Sequence, residues 1–135
     1  MPILESKLDV HSDGFQKNRA DILEMLATLD ELYVQAEAGG GEEAMERLRS
    51  RGKMPIRERI SLVLDNDSPF LEISPLAAWR SNYNVGSGFV VGIGVISGTE
   101  CVILGHDPSV RAGAFNQFNS KKLMRGLEIS RENRM

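Results

Sequence analysis

The stretch that decides the fold spans residues 88–105 and reads Gly88-Phe-Val-Val-Gly-Ile-Gly-Val-Ile-Ser97, Gly98, Thr99-Glu-Cys-Val-Ile-Leu-Gly105. Both halves are rich in β-branched residues, which favour extended strands. A glycine between two such runs is typical of a tight turn. The sequence therefore predicts two adjacent strands joined as a hairpin.

A loop and a helix are predicted to follow the hairpin. The loop covers His106 to Asn116, and an amphipathic stretch runs from Gln117 to Asn133. Its apolar residues recur at helical spacing, which predicts a helix with one apolar side. This side carries Leu123, Leu127 and Ile129.

Upstream of the hairpin, the sequence predicts a long helix from Lys17 to Ala38. Apolar residues recur every three or four positions along it, which indicates an apolar stripe. The glycines 39–41 end the helix, because three glycines lose too much backbone entropy to continue it. The stripe consists of Ile22, Leu23, Met25, Leu26, Leu29, Leu32 and Tyr33.

Two shorter helices and a short strand lie between the long helix and the hairpin. The first helix starts near Glu42 and is broken at Gly52. Pro55 suits the first turn of the second, which runs to about Leu64. A turn cluster at 65–69 leads to a strand, Phe70–Ile73. The buried side of the second helix is predicted to carry Ile56, Ile60, Val63 and Leu64.

These elements predict an α/β fold in three parts. Residues 1–16 form a flexible leader without the pattern of a secretory signal, residues 17–64 a helical segment, and residues 65–135 a domain of alternating strands and helices.

Composition narrows the classes of function. The 135 residues are 41% hydrophobic and 26% charged, with 16 basic against 19 acidic residues. This balance gives no general attraction to nucleic acid, and no apolar run is long enough to predict a membrane span. The single cysteine, Cys101, excludes a disulfide within the chain, and we expect a buried structural thiol.

The loop that begins Asp107-Pro-Ser-Val-Arg is the best candidate ligand site. The small residues Ala112, Gly113 and Ala114 would let a ligand approach the backbone. Free N–H groups at the start of the following helix could hold a phosphate or a thioester oxygen. Arg111, Lys121 and Lys122 could add positive charge. The alternative is a turn with a purely structural role.

A second basic group surrounds the break between the two short helices. Forked guanidinium groups there could bind a polyphosphate. The alternative is a solvated helix face, because Glu42, Glu43, Glu46 and Glu58 are interleaved with the cations. The basic group comprises Arg47, Arg49, Arg51, Lys53, Arg57 and Arg59.

Other site chemistries find little support. The glycines of 86–94 precede a strand, whereas a dinucleotide fingerprint requires a helix there, so we interpret them as positions of strand curvature or close contact. His106, Asp107 and Ser109 are too close in sequence to form a catalytic relay. Neither His11 nor His106 has metal-ligand spacing.

Four aromatic residues could line an acyl or adenine pocket, although core packing is the alternative. They are Trp79, Tyr83, Phe115 and Phe118.

Read in order, several segments resemble the carboxyltransferase (beta) subunits of biotin-dependent acyl-CoA carboxylases, of the methylcrotonyl-CoA and propionyl-CoA type. The resemblance spans nearly the whole chain, and residues 107–122 match the family's acyl-CoA loop. The other segments are Gly39-Gly-Gly-Glu42, Arg51-Gly-Lys-Met-Pro-Ile-Arg-Glu-Arg-Ile60, Asp67-Ser-Pro-Phe-Leu-Glu72 and Gly92-Ile-Gly-Val-Ile-Ser-Gly98.

The resemblance implies a partial crotonase-like fold of ββα units and the transfer of a carboxyl group from carboxybiotin to the α-carbon of an acyl-CoA. Implied partners are a biotin carboxylase or biotin carrier subunit and further copies of the subunit, in the cytoplasm or the mitochondrial matrix. It also implies ligand contacts for Arg111, Ala112, Gly113, Ala114, Phe115, Lys121 and Lys122.

The chain ends at Met135, before the next strand and oxyanion loop that the resemblance leads us to expect. We therefore expect an incomplete active site, and a chain that is inactive alone and prone to associate through uncovered apolar faces. An alternative function is a non-catalytic assembly module that binds a partner subunit through the helix Lys17–Ala38.

Overall fold

The computed structural model describes residues 6–135, so the first part of the predicted leader lies outside the described residues. Contacts divide the chain into two units, Met1–Glu31 and Leu32–Met135, a boundary different from those we placed after residues 16 and 64. The predicted division stays a prediction. Helix α1 spans Asp13–Ala38 and so begins four residues before Lys17.

The remaining elements follow the predicted order. Their bounds are α2 Glu42–Ser50, α3 Ile56–Val63, β1 Leu71–Glu72, β2 Phe89–Ile96, β3 Thr99–His106 and α4 Gln117–Asn133, with a short 3-10 turn at Arg111–Gly113. No helix in the described part of the chain is long and apolar enough to cross a membrane.

The three strands form an antiparallel sheet in the order β1-β2-β3. The predicted hairpin is confirmed, with Phe89 opposite His106 and Ile96 opposite Thr99. Ser97 and Gly98 form its turn at φ 51° and 76°, the left-handed values that a tight hairpin turn requires. The Asp65 carboxylate accepts hydrogen bonds from both turn amides at 2.7 Å, which fixes the turn against the end of α3.

Helices cover both faces of the sheet. On one face, Ile56 and Ile60 of α3 form the buried core with Val90. Successive strand residues point to opposite faces, so Val91 lies on the other face, where α4 approaches it closely at Gly126. The glycines of β2 were interpreted as positions of strand curvature or close contact. Gly94 is a position of close contact, because a side chain there would collide with Leu64.

Several details of the prediction were wrong. Val63, the last residue of α3, is exposed, so only Ile56, Ile60 and the half-buried Leu64 of the four predicted residues pack on the core. Cys101 is half-buried, since it lies on β3 at the edge of the sheet. The strand predicted at Phe70–Ile73 pairs as a strand only at Leu71–Glu72.

Candidate functional site

The loop between β3 and α4 begins with a turn built on Asp107. The Asp107 carboxylate is buried, and its Oδ1 accepts hydrogen bonds from the Ser109 amide at 2.9 Å and the Ser109 hydroxyl at 2.5 Å. The Ser109 hydroxyl oxygen in turn accepts a hydrogen bond from the Gly40 amide at 3.0 Å. A side chain at Gly40 would collide with the Ser109 carbonyl, so this glycine also permits close backbone contact.

The predicted ligand residues follow in a tight 3-10 turn. Arg111, Ala112 and Gly113 all adopt positive φ, at 46°, 54° and 80°. For Ala112 this is a strained conformation, because its Cβ crowds the backbone in the left-handed region. Backbone strain of this kind occurs preferentially at functional sites.

The amides of this loop divide into two groups. The Gly113 amide donates to the Val110 carbonyl at 2.9 Å, and the Ala114 amide donates to the Arg111 carbonyl at 3.1 Å. Among the described residues, the structure records no acceptor for the amides of Arg111, Ala112 and Phe115. The amides without an acceptor therefore lie on either side of Gly113 and Ala114. They are the backbone N–H donors of the loop that a ligand could use.

The start of α4 is less open than we predicted. Asn116 caps the helix, and its Oδ1 accepts hydrogen bonds from the amides of Phe118 at 2.9 Å and Asn119 at 3.0 Å. The buried Asn119 side chain completes a capping box by accepting from the Asn116 amide at 2.8 Å. The expectation of a helix start with free N–H groups is wrong for these two amides, because the Asn116 side chain already accepts hydrogen bonds from both.

The two asparagines are structural residues of the site that the sequence analysis missed. Besides capping α4, Asn119 donates to the Ala114 carbonyl and Asn116 donates to the Ser87 carbonyl, both at 3.2 Å. Asn116 therefore fixes the loop to Ser87, just before β2, and Asn119 fixes the start of α4 to the loop. An asparagine just before the predicted helix, with a second asparagine three residues later inside it, is the signal that could have identified them.

The structure brings the loop together with part of the basic group. Residues of α2 and the turn after it form one wall of a 330 Å³ groove, and the loop forms the other. This arrangement gives the groove four cations and one strained backbone turn. The groove is lined by Ala44, Arg47, Leu48, Arg51, Lys53, Pro108, Ser109, Arg111 and Ala112.

The remaining cations of the basic group lie elsewhere. Arg49 forms an ion pair with Glu58, and Arg57 forms one with Glu72. Arg59 lines an adjoining 570 Å³ depression with Lys53.

Arg47 does line the groove, but it pairs with Glu43 at 3.1 Å across an exposed helical turn, where an ion pair contributes little.

The two lysines after the loop have different environments. Lys121 is exposed on α4. Lys122 is buried, and its ammonium lies 3.5 Å from Glu72, whose carboxylate is also held by both guanidinium nitrogens of Arg57. Burial lowers the pKa of the Lys122 ammonium from its ordinary value; Glu72 opposes this lowering, and the nearby Arg57 charge adds to it. The structure therefore places Lys122 in a buried ion triad.

The candidate aromatic residues lie in separate contacts. The Arg111 guanidinium stacks 4.3 Å from the ring centre of Tyr83, which contacts Phe118 edge to face at 5.5 Å. Phe115 contacts His106 edge to face at 4.5 Å and remains mostly exposed. Trp79 contacts Arg80 at 4.5 Å. Tyr83 is thus the aromatic residue directly joined to the groove through Arg111.

The described residues contain no cluster of three or more His, Cys, Asp and Glu side chains able to hold a metal ion. The chemistry of the groove is that of cations and backbone N–H donors, which suits an anionic ligand.

The family model described as the carboxyl transferase domain matches residues 47–135, which include the groove, the sheet and α4. The chain belongs to this family. A carboxyl transferase relative from Mycobacterium tuberculosis, named "Probable biotin-dependent acyl-coenzyme A carboxylase beta2 subunit", is 40% identical over 98% of this chain and 25% of its own length. The methylcrotonoyl-CoA carboxylase beta chain of Dictyostelium discoideum is 37% identical over 98% of this chain and 23% of its own.

Solved carboxyl transferase structures have the same fold. The beta subunit of geranyl-CoA carboxylase from P. aeruginosa matches 99% of this chain and 26% of its own with a TM-score of 0.90 and 33% identity. Transcarboxylase 12S, solved as a hexamer with methylmalonyl-coenzyme A bound, matches 79% of this chain and 22% of its own with a TM-score of 0.71 and 29% identity. This chain thus spans about a quarter of the relatives that it matches.

Proposed function

We propose that the chain is the acyl-CoA-binding N-terminal part of a carboxyltransferase that moves a carboxyl group from carboxybiotin to the α-carbon of an acyl-CoA. The supporting observation is the groove in which the strained loop and the cations of the α2 region lie opposite each other. Coenzyme A carries a diphosphate and a further phosphate at one end and a thioester at the other, so it requires both kinds of group.

The phosphates fit the cationic wall of the groove. Arg51, Lys53 and Arg111 line it, and the structure records no ion pair for them among residues 6–135. Arginine binds phosphate oxygens through two parallel N–H donors, and lysine adds a compact positive charge. Lys122 is less suited to this role, because its ammonium is already bound to Glu72.

The thioester end fits the backbone donors of the loop. Carboxylation at the α-carbon passes through an enolate, whose oxygen becomes negative and is stabilised by preorganised N–H groups. We assign this capacity to the open amides of Arg111, Ala112 and Phe115; Gly113 and Ala114 keep the turn tight so that a ligand can approach. We assign no residue of this chain to the biotin group.

The rest of the proposal extends from the relatives. We propose that the residues from the hairpin to α4 are part of a crotonase-like fold of ββα units. The working enzyme would require a biotin carboxylase or carrier subunit and further copies of the carboxyltransferase subunit. We place it in the cytoplasm, or in the mitochondrial matrix by analogy with relatives named as mitochondrial. We expect this chain to bind acyl-CoA without catalysing transfer alone.

Calorimetric titration with acetyl-CoA tests the phosphate contacts. We expect Arg51→Ala and Lys53→Ala each to weaken binding about tenfold, because each loses a charge-assisted contact of roughly 1.4 kcal/mol. Arg49→Ala is the matched control, since Arg49 lies near the end of α2, two residues before Arg51, but pairs with Glu58 outside the groove. Equal affinity of all three variants and the unaltered chain would contradict the proposal.

A non-catalytic assembly module is the second candidate function. It is favoured by the exposed apolar residues of α1, among them Ile22, Met25 and Leu26. A chain of this kind would bind a biotin carboxylase subunit without measurable affinity for acyl-CoA. Pull-down with that subunit, alongside the titration above, separates the two candidates.

A further inference from the structure

The side chain of Arg111 is held by an aromatic ring. Its guanidinium lies 4.3 Å from the ring centre of Tyr83, within the range of a cation–π contact. Among residues 6–135, the structure records no ion pair for this guanidinium. Arg111 is exposed and lines the groove. The recorded contact of this cation is therefore made by the flat face of its guanidinium.

Stacking and ion pairing use different parts of an arginine side chain. The N–H donors lie in the plane of the guanidinium, whereas an aromatic ring contacts the face of that plane. In the ion pair of Arg49 with Glu58, a carboxylate takes up donors of the arginine. The contact of Arg111 with Tyr83 takes up none. An arginine held in this way is ordered and still able to bind a phosphate through paired N–H groups.

Tyr83 is itself held by its surroundings. Its half-buried ring contacts Phe118 of α4 edge to face, with 5.5 Å between the ring centres. Its amide donates a hydrogen bond to the Ser81 hydroxyl at 3.2 Å. The loop that carries it is closed by a hydrogen bond from the Gly86 amide to the Ala77 carbonyl at 2.8 Å. The ring is therefore a braced support for the guanidinium.

We propose that Tyr83 is a positioning residue for anion binding, which holds the Arg111 guanidinium so that its N–H edge meets a phosphate of the acyl-CoA in the groove. A side chain that is ordered before binding loses less entropy when the ligand arrives. Arg51, for which the described residues include no aromatic stack, lacks this advantage. The inference rests on the proposed function, and it adds a residue that does not itself line the groove.

Calorimetric titration of the full chain with acetyl-CoA tests this role. We expect Tyr83→Leu to weaken binding about fivefold, because the ligand must then order the Arg111 side chain. Tyr83→Phe keeps an aromatic face and should bind within about twofold of the unaltered chain. Trp79→Leu is the matched control: Trp79 contacts Arg80 at 4.5 Å in the same loop, but neither residue lines the groove, so the affinity should not change.

A double-mutant cycle separates positioning from a general structural effect. In an Arg111→Ala background, Tyr83→Leu should cost no further affinity, since no guanidinium is left to position. NMR relaxation of the arginine Nε–Hε groups gives a second readout that needs no ligand. We expect the Arg111 guanidinium to be more rigid than that of Arg51 in the unaltered chain and in Tyr83→Phe, and to become as mobile as Arg51 in Tyr83→Leu.

Three outcomes would overturn the inference: unchanged affinity of Tyr83→Leu, an equal loss of affinity in the Arg111→Ala background, or an Arg111 guanidinium equally mobile with and without the Tyr83 ring. Each of them leaves the proposed function intact as long as the unaltered chain binds acetyl-CoA. If the unaltered chain does not bind it, the proposed function fails and the role of Tyr83 fails with it.

Discussion

Ala112 combines a strained backbone conformation with a position in the candidate binding groove. Its φ of 54° costs an alanine roughly 1 kcal/mol, a cost that glycine avoids. The turn it belongs to presents the open amides of Arg111 and Ala112 beside the cations of the groove. The small residues of this loop were visible in the sequence, but which amides remain open was not, because that depends on the particular carbonyls within reach.

Substitution of Ala112 measures this strain. We expect Ala112→Gly to raise the free energy of unfolding by about 0.5–1 kcal/mol in urea denaturation, because it relieves a left-handed alanine. Ala114→Gly is the matched control: Ala114 has an ordinary extended conformation at φ −64°, so glycine there should lower stability by about 0.5 kcal/mol. A destabilised Ala112→Gly variant would show that the turn is not strained.

At the scale of elements, the ion triad joins three of them: Arg57 is on α3, Glu72 on β1 and Lys122 on α4. One carboxylate balances two cations, one of which is fully buried. Replacing Glu72 should therefore lower the free energy of unfolding more than replacing Arg57 or Lys122 does. Without the carboxylate, positive charge is left unpaired in a partly dehydrated environment.

Thermal and urea unfolding of triad variants test this ranking. We expect Glu72→Leu to lower the free energy of unfolding by about 3–5 kcal/mol, whereas Lys122→Met should cost about 1 kcal/mol or less, since methionine fills similar space without a charge. The loss of unfolding free energy in Arg57→Met should lie between those of Glu72→Leu and Lys122→Met, because Arg57 is partly exposed. Equal effects of Glu72→Leu and Lys122→Met would contradict the proposed role of the carboxylate.

The lowered pKa of Lys122 adds a pH dependence. The folded chain releases this proton at a lower pH than the unfolded chain does, so unfolding takes up a proton in the interval between the lowered pKa and 10.5. The contribution of Lys122 to stability should therefore increase as pH rises through that interval. Urea unfolding across it should show a smaller increase for Lys122→Met; identical pH profiles would count against this assignment.

The sequence predicted the elements well and their side-chain partners poorly. The hairpin and α4 were predictable because their patterns are local: two β-branched runs around Gly98, and apolar residues at helical spacing. The triad was not, since Lys122 and Glu72 are fifty residues apart in sequence and only the fold brings them together. Lys122 was predicted as a ligand contact for the same reason: sequence cannot tell an exposed lysine from a buried one.

At the scale of the whole molecule, two segments far apart in the chain line one groove. The basic segment around Arg51 and the loop around Arg111 were separate candidates in the sequence, each with a structural alternative. Their juxtaposition in a carboxyl transferase domain favours binding of an acyl-CoA at this place. Because the chain spans about a quarter of its relatives, binding is the property to test in it and turnover is not.

The most direct test is a titration of the isotope-labelled chain with acetyl-CoA, followed by the amide signals in NMR spectra. We expect the largest changes at Arg111, Ala112 and Phe115, with smaller ones at Arg51 and Lys53, because the ligand would contact the first group through the backbone and the second through side chains. Saturable changes confined to these positions would confirm the groove as the binding site. An absence of change, or changes centred elsewhere, would contradict it.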